Sequence, residues 1–226
     1  MERNGISPHF PTGAQANFMI SALKKACKNP GLIPTHAAYL CRVLWRRISN
    51  PPAVKVIKSG TTWYRYKKKL YPAHLNSGNA VSYIKEYALK FCQGTGLDIG
   101  ASQWPLPGAQ PVENNPGCNA YKLDSFDDSS LDFVFSSHCL EHLDQWRDAL
   151  ALWIKKLKKD GILFLYLPHK SMKLWHPRSP WVGHEHKWIP TADVIHKYLA
   201  KQGMHIIEYS SKADAYWSWF SVSRKG

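Results

Sequence analysis

Two acidic side chains in the middle of the chain follow short apolar runs, in the pattern of strands that present a ligand. Residues 96–100 read Gly-Leu-Asp-Ile-Gly, a strand that ends in an acid and a glycine, and residues 110–113 read Gln-Pro-Val-Glu. Open parallel sheets bind their ligands at the carboxyl ends of the strands, where such side chains meet. The pattern predicts a cofactor with a ribose beside Asp98 and Glu113.

The elements needed to position these acids follow in order along the chain. Residues 120–123 read as a third short strand, and residues 131–137 as a fourth that passes into a polar run over 138–142. A helical stretch comes next, and then an apolar strand over 160–168 that starts from the Asp160-Gly161 turn. Strands that alternate with helices and acids in this way predict a parallel sheet.

The flanking segments add helices on both sides and a final strand pair. Apolar residues at helical spacing predict helices over 14–28 and 35–48, and Ser59-Gly60 predicts a hairpin into residues 62–66. Asn79 is placed to cap a helix through Phe91, and Thr191 to cap one that ends at residues 202–203. Residues 204–209 and 216–222 read as an antiparallel pair.

These sequence segments, in this order, resemble the class I S-adenosylmethionine-dependent methyltransferases, most closely their small single-domain, type-11-like group. The resemblance covers about residues 79–226, and residues 1–78 form a separate basic segment of helices with a hairpin. It implies an α/β fold, with a Rossmann-like, mainly parallel sheet of seven strands, helices on both faces and a C-terminal antiparallel strand pair. It also implies S-adenosyl-L-methionine as the cofactor.

The resemblance assigns cofactor roles to the acids and their neighbours. Gly100 begins the loop beneath the amino-acid end of the cofactor, Glu113 takes both ribose hydroxyls, and Asp124 lies near the adenine amino group. A carboxylate suits the ribose because it accepts two hydrogen bonds at once. The residues implied to bind the cofactor are Asp98, Gly100, Ala101, Glu113, Asn114, Leu123, Asp124 and Ser137.

The loop after the first of these strands departs from the family pattern. Ser102 and Trp104 stand where the family usually has glycines, and two prolines follow. Because Glu113 comes only 13 positions after Gly100, we expect the usual first helix to be very short or replaced by this proline-rich loop.

Histidines lie where the resemblance places the acceptor pocket. A hydroxyl acceptor has to lose a proton, and histidine is suited to take it at neutral pH. His138 follows the fourth strand and His169 the fifth, which favours one of them as the base. His186 is placed to close the pocket, with His184 beside it.

Three tryptophans in the loop before residue 189 predict the kind of acceptor. Aromatic faces held in a loop stiffened by prolines suit flat apolar surfaces, including the C–H faces of sugar rings. The sequence therefore favours O-methylation of a saccharide, a glycoside or another small-molecule hydroxyl, and packing of the loop onto the sheet is the alternative. These tryptophans are Trp175, Trp181 and Trp188.

Positive charge is concentrated in the first part of the chain. The formal net charge is +14, and residues 1–93 hold 15 Lys and Arg against 2 Asp and Glu, whereas residues 94–226 hold 15 against 14. Aromatic and basic residues interleave over 63–69, a composition that binds nucleic acid. The predicted helix with Arg42, Arg46 and Arg47 is amphipathic and basic, which suits an anionic membrane surface equally well. The main alternative function is an RNA methyltransferase that holds its substrate with residues 1–78, and a solvated basic face is the other interpretation.

Cysteine usage and apolar runs bear on the location of the protein. Five widely spaced cysteines without a Cys-x-x-Cys pair are typical of free thiols in a reducing compartment, which predicts a cytoplasmic protein. The longest apolar run, residues 162–167, is far shorter than the roughly 18 residues of a membrane span.

Two remote alternatives concern the chemistry itself. His138, Glu141 and His142 spell the His-x-x-Glu-His motif of zinc peptidases, with Glu208 as a further ligand. The motif directly follows a strand of a parallel-sheet pattern that such peptidases lack, so we expect no metal. A group of histidines over 169–186 is also disfavoured as a metal site because two prolines divide it. A non-catalytic relative of the fold is the last alternative, since the loop has lost its glycines.

Overall fold

The computed structural model describes residues 51–226, and the helices predicted over 14–28 and 35–48 lie outside these residues. Residues 52–226 form one compact unit, so the domain boundary predicted at residue 78 falls inside it. Within the described part of the chain, no helix has the length and apolarity that a membrane crossing requires.

A small antiparallel sheet opens the described chain. Its strands are β1 (Val54–Lys58), β2 (Thr61–Tyr66) and β3 (Lys69–Pro72), paired in that order. The predicted hairpin is confirmed, because Lys58 pairs with Thr61 across Ser59 and Gly60. Both turn residues have left-handed φ angles, 50° and 74°, which suits a two-residue hairpin loop.

A mixed sheet of six strands forms the centre of the described fold, in the order β5-β4-β6-β7-β9-β8. The first four strands in this order are parallel, and β9 runs antiparallel to both β7 and β8. The predicted C-terminal antiparallel pair is thus confirmed. The strands are β4 (Gly96–Ile99), β5 (Gln110–Val112), β6 (Leu131–Ser137), β7 (Leu157–Pro168), β8 (Met204–Ser210) and β9 (Ser218–Lys225).

The prediction of seven strands was wrong for the described residues, because residues 120–123 do not join the sheet. Asn119 and Lys122 instead exchange backbone hydrogen bonds of 2.8 and 2.9 Å in a tight turn. Asn119 Oδ1 accepts a further bond from the Tyr121 N–H. Asparagine offers the backbone local hydrogen-bond partners that compete with pairing in a sheet. Backbone groups of residues 119–122 therefore form hydrogen bonds within the turn.

Three α-helices lie within the described residues: α1 (Lys85–Ala88), α2 (Trp146–Lys156) and α3 (Ala192–Lys201). The helix predicted from Asn79 to Phe91 is broken into a 3₁₀ turn over Val81–Tyr83 and the short α1. Asn79 still accepts the Ser82 N–H through Oδ1. Thr191 stands at the N-cap of α3, but its side chain makes no capping hydrogen bond.

Alternating side chains of the central strands build two cores, one on each face of the sheet. On β6, Val134 faces one core, whereas Phe133 and Phe135 face the other. Helices α2 and α3 contribute to the first core, for example through Trp153 and Leu199. The second core holds residues of α1 and of the N-terminal sheet, such as Tyr71. Burial on both faces leaves the carboxyl ends of the parallel strands as the edge where a site forms.

Candidate active site

Asp98 is fully buried near the end of β4 and holds the proline-rich loop. Its Oδ2 accepts the Leu106 N–H at 2.7 Å, and its Oδ1 has no hydrogen-bond partner. Burial raises the pKa of Asp98 to about 7, and the nearby Glu113 carboxylate acts in the same direction. As expected, no helix forms between β4 and β5, and the loop takes its place.

Gly100 marks the point where the loop passes under the end of β6. Its φ is +81°, and a Cβ at this position would lie 2.6 Å from Cβ and 2.7 Å from Sγ of Cys139. The glycine therefore permits both the left-handed backbone and the close approach of the two strand ends.

A cleft of about 480 Å³ opens at this edge of the sheet, between the ends of β4, β5 and β6. This volume is in the range of cofactor sites. Glu113 stands in its wall, with a buried Oε1 that has no hydrogen-bond partner in the described part of the chain. The lining residues are Ile99, Gly100, Ser102, Val112, Glu113, Asn114, Asn119, Ala120, Tyr121, His138, Cys139, His142 and Leu143.

Three of the eight predicted cofactor residues line this cleft, namely Gly100, Glu113 and Asn114. The other five do not. Asp98, Ala101 and Ser137 are buried behind it, and Leu123 belongs to the core. Asp124 is exposed and lies 3.8 Å from the Lys122 ammonium, because the turn at residues 119–122 replaces the strand that was expected to direct it to the cleft.

A second cavity, of about 220 Å³, lies beside the cofactor cleft and shares His138 and His142 with it. We call it the aromatic cavity. Trp175, Trp181 and Tyr216 supply aromatic walls, and His186 lines it as well. Residues 75–80, before the α1 segment, complete the lining with Leu75, Asn76, Gly78 and Ala80.

His138 is held between the two cavities by its own hydrogen bonds. Its ring Nε2 lies 2.7 Å from Ser218 Oγ, which itself donates to the Tyr216 carbonyl. The His138 ring therefore donates through Nε2, and Nδ1 keeps a free electron pair. Burial lowers the pKa of His138 to about 3, so the ring is neutral at neutral pH.

Glu141 lies beneath His138 and has no exposed surface. Its Oε1 is 3.4 Å from Nδ1 of His138 and 3.9 Å from Nε2 of His186, and neither carboxylate oxygen has a hydrogen-bond partner within the residues that the structure describes. Burial raises the pKa of Glu141 to about 8 and lowers that of His186 to about 4. This part of the molecule is a pocket of titratable groups held in their uncharged forms.

The remaining sequence candidates lie elsewhere. His169 lines a separate cavity of about 130 Å³ with Thr191 and Trp219, and its Nδ1 is bonded to Ser171. Trp188 stacks on Trp146 at 4.5 Å and packs against the core, outside the lining of the aromatic cavity. His184 is exposed.

Sequence reasoning missed several residues that line the two cavities. Asn119 and Tyr121 reach the cofactor cleft because residues 119–122 turn back on themselves. Tyr216 enters the aromatic cavity just before β9, and no local pattern marks it. The position of His138 directly after the fourth predicted strand was the sequence signal for the junction of the two cavities.

Comparison with known proteins agrees with this geometry. Residues 75–165 match the family model of the methyltransferase domain. A comparison with curated proteins gave no match. Among solved structures, a Haloferax volcanii methyltransferase in complex with the Trm112 methyltransferase activator has a TM-score of 0.52 at 13% identity, covering 67% of this chain and 94% of that one.

Two further structures share the fold at a TM-score of 0.50. An S-adenosylmethionine-dependent methyltransferase of Mesorhizobium loti is 13% identical and covers 66% of this chain and 100% of its own. One of Thermotoga maritima is 12% identical and covers 68% of this chain and 92% of its own.

Fold, cleft and family model agree on one class of enzyme. Residues 75–165 match a methyltransferase domain, and these findings support an S-adenosylmethionine-dependent methyltransferase with S-adenosylmethionine as its cofactor. The cleft fits this group, because the buried Oε1 of Glu113 is an acceptor without a donor, as ribose hydroxyls require.

Proposed function

We propose that the protein methylates a hydroxyl oxygen of a small acceptor bound in the aromatic cavity, and that this acceptor is a saccharide or glycoside. The observation that carries the proposal is the position of His138, which lines both the cofactor cleft and the aromatic cavity. A base at the junction of the two cavities can reach the acceptor hydroxyl at the point where it meets the methyl group of the cofactor.

The hydrogen bonds of His138 support its proposed role as the base that takes the proton of the acceptor. When bound, S-adenosylmethionine supplies an electrophilic methyl group, and its sulfur keeps the electron pair of the broken bond. The acceptor oxygen forms the new bond to carbon, and its proton passes to Nδ1 of His138. Ser218 holds Nε2–H of the same ring at 2.7 Å and so fixes which nitrogen is free.

The walls of the aromatic cavity support a sugar as acceptor. The Trp175 ring meets His138 edge to face with centroids 5.0 Å apart, and Tyr216 lies 5.5 Å from Trp175. Aromatic faces bind the C–H faces of sugar rings, and the nearby histidines provide polar contacts for hydroxyl groups.

The cofactor contacts proposed here follow the cleft lining. Glu113 accepts hydrogen bonds from the ribose hydroxyls through its unpartnered oxygen. Gly100 and Asn114 lie along the same cleft, and Asn119 and Tyr121 are the proposed neighbours of the adenine in place of Asp124. Asp98 acts indirectly, by holding the loop through the Leu106 N–H.

RNA is the second candidate acceptor, and one contact favours it. Tyr64 of β2 packs edge to face on Trp181 at 5.1 Å, so the N-terminal sheet lies beside the rim of the aromatic cavity. The turn from β2 to β3 carries the exposed lysines of residues 67–69. Lysines near aromatic side chains bind phosphates and stack bases.

The cysteines support a proposed cytoplasmic location. Cys92, Cys118 and Cys139 are free thiols in the described part of the chain. Free thiols persist in a reducing compartment.

A methyl-transfer screen tests the proposed function. Radiolabelled S-adenosylmethionine is incubated with a panel of glycosides and with RNA, and mass spectrometry locates the methyl group in each product. We expect an O-methylated glycoside, and a fall in kcat of about 10²–10⁴-fold in His138→Gln, as for loss of a general base. His184→Gln, a change at an exposed histidine, serves as the control and should keep its activity. Methylation of RNA alone would select the second candidate, and methylation of a small acceptor at nitrogen or carbon would exclude the first.

A further inference from the structure

Three side chains beside the aromatic cavity have the donor set of a metal site. Glu141 and His142 lie in the 3₁₀ turn over Leu140–His142 that follows β6, and His186 comes from the long loop after β7. One potential ligand atom from each lies within 4.8 Å of the others. Two donors of a tetrahedral Zn²⁺ site, each about 2.1 Å from the ion, lie about 3.4 Å apart, so side-chain shifts of about an ångström would bring all three onto one ion.

The carboxylate of Glu141 is the first sign that something is bound here. Its side chain has no exposed surface, and neither of its oxygens has a hydrogen-bond partner among residues 51–226. A buried carboxylate without partners is costly, and proteins pair such groups with a cation or a metal ion. Within the same residues no lysine or arginine forms an ion pair with Glu141, and the ionisable groups within 4 Å of its Oε1 are His138 and His186.

His186 is oriented as a metal-binding histidine usually is. It donates from Nδ1 to the Trp175 carbonyl at 2.7 Å, which leaves the electron pair of Nε2 on the Glu141 side, 3.9 Å from Oε1. Histidines that bind metals commonly donate their other ring nitrogen to a backbone carbonyl, which fixes the tautomer and the ring orientation.

The loop that carries His186 is fastened to the turn that carries the other two residues. The Lys187 N–H donates to the Glu141 carbonyl at 2.8 Å, and the Trp188 indole donates to the Leu140 carbonyl at 3.0 Å. The rings of His142 and His186 consequently meet edge to face with centroids 4.5 Å apart. The scaffold holds the three donors together without an ion.

We infer that Glu141, His142 and His186 bind a divalent metal ion, and that their two imidazoles and one carboxylate match Zn²⁺ best. Three protein ligands leave a coordination position open, as in catalytic rather than structural zinc sites. His142 and His186 both line the aromatic cavity, so that position is available to an acceptor oxygen. This role for the ion rests on the proposed function, whereas the site itself does not.

From the sequence we expected no metal, because His138, Glu141 and His142 were considered only as a peptidase motif. The tertiary structure brings His186 into the set instead of Glu208, which is exposed and hydrogen-bonded to Tyr87. The grouping differs from that motif, because His138 is engaged with Ser218 through one nitrogen.

Metal content measured on the full-length protein tests the inference without using activity. Protein stripped with a chelator is titrated with Zn²⁺ in a calorimeter, and a sample reloaded with Co²⁺ is examined for visible d–d absorption. We expect one ion per chain with a Kd below about 10 µM, and at least a tenfold weaker Kd in His186→Gln and in the isosteric Glu141→Gln. His184→Gln, an exposed histidine of the same loop, should bind like the wild type.

Circular dichroism of each variant shows that the fold is retained. A folded wild type that binds Zn²⁺ and Co²⁺ no tighter than about 100 µM, or a His184→Gln loss equal to that of His186→Gln, overturns the metal site. Neither result bears on methyl transfer to a glycoside, so failure of the site and failure of the proposed function remain distinguishable.

Discussion

Nε2 of His138 lies 2.7 Å from Oγ of Ser218, and this hydrogen bond joins the end of β6 to the start of β9 across the intervening strand β7. The two residues are 80 positions apart in the chain. The bond engages Nε2 and leaves Nδ1 free, and Nδ1 is the nitrogen proposed to take the proton of the acceptor.

Replacing Ser218 with alanine should lower kcat about tenfold, because the His138 ring loses the partner that fixes its tautomer and orientation. The affinity for S-adenosylmethionine, measured by calorimetry, should not change. Ser221→Ala is the matched control, since Ser221 is buried on the same strand and bonded to His196 at 3.0 Å. Equal losses of kcat in both variants would refute the positioning role.

Replacing Glu113 with alanine should weaken S-adenosylmethionine binding by about 10–100-fold, as expected for losing hydrogen bonds to a charged acceptor. Calorimetric titration with the cofactor and with its demethylated product measures the loss. Asp124→Ala tests the corrected assignment, because Asp124 is exposed and off the cleft lining, and it should bind normally. A loss of cofactor affinity in Asp124→Ala as large as that in Glu113→Ala would instead support the prediction that Asp124 lies near the adenine amino group.

Replacing Gly100 with alanine should destabilise the protein more than the same change at Gly108. Both glycines have φ of +81°, but a Cβ at residue 100 meets Cys139 at 2.6 Å, and one at residue 108 meets nothing within 4 Å. We expect about 1 kcal/mol for Gly108→Ala from backbone strain and about 2–4 kcal/mol for Gly100→Ala with the added overpacking. Urea unfolding measures both, and equal values would show that the contact with Cys139 relaxes at no cost.

Replacing Asp98 with asparagine should change how stability depends on pH. The pKa of Asp98 rises from 3.8 to about 7 in the folded protein, so between these values the folded chain keeps a proton that the unfolded chain has lost. This contribution to stability is therefore full below pH 4 and is lost as the pH rises to 7. Asparagine cannot ionise and keeps an oxygen for the Leu106 N–H.

The expected signature is a difference in unfolding free energy that moves in favour of Asp98→Asn by up to about 1.4 kcal/mol per pH unit between pH 4 and 7. Denaturant unfolding of both proteins at several pH values measures it. Parallel stability profiles would mean that Asp98 ionises as easily in the folded as in the unfolded chain.

Replacing the loop tryptophans one at a time should separate acceptor binding from packing. Trp181→Ala should raise the acceptor KM several-fold with little change in stability, because Trp181 lines the aromatic cavity and is only half-buried. Trp188→Ala should leave KM unchanged and cost about 2–4 kcal/mol, because Trp188 stacks on Trp146 against the core. Reversed effects on KM would place the acceptor outside the aromatic cavity.

Local patterns were sufficient for most elements of the fold. The apolar runs over residues 131–137 and 160–168 predicted β6 and β7, and the turn residues at 59–60 and 203 marked a hairpin and a helix end. The replacement of the first helix by a loop followed from the short distance between Gly100 and Glu113. The prediction of the third strand failed because local hydrogen bonds competed with pairing in the sheet. Asn119 forms hydrogen bonds within the turn over residues 119–122, and the expected strand is absent from the described sheet.

The order of strands and acids along the chain carried the resemblance that indicated the class of enzyme, and it predicted the sheet edge where the cleft lies, because apolar runs and turn residues are local features. Only the tertiary structure placed His138, and not His169, at the cofactor cleft, separated Trp188 from the aromatic cavity, and brought His186 to Glu141 and His142. These relationships depend on how the long loop after β7 docks on the turn after β6. That docking is the sum of contacts between residues more than 40 positions apart, and no pattern within either segment records it.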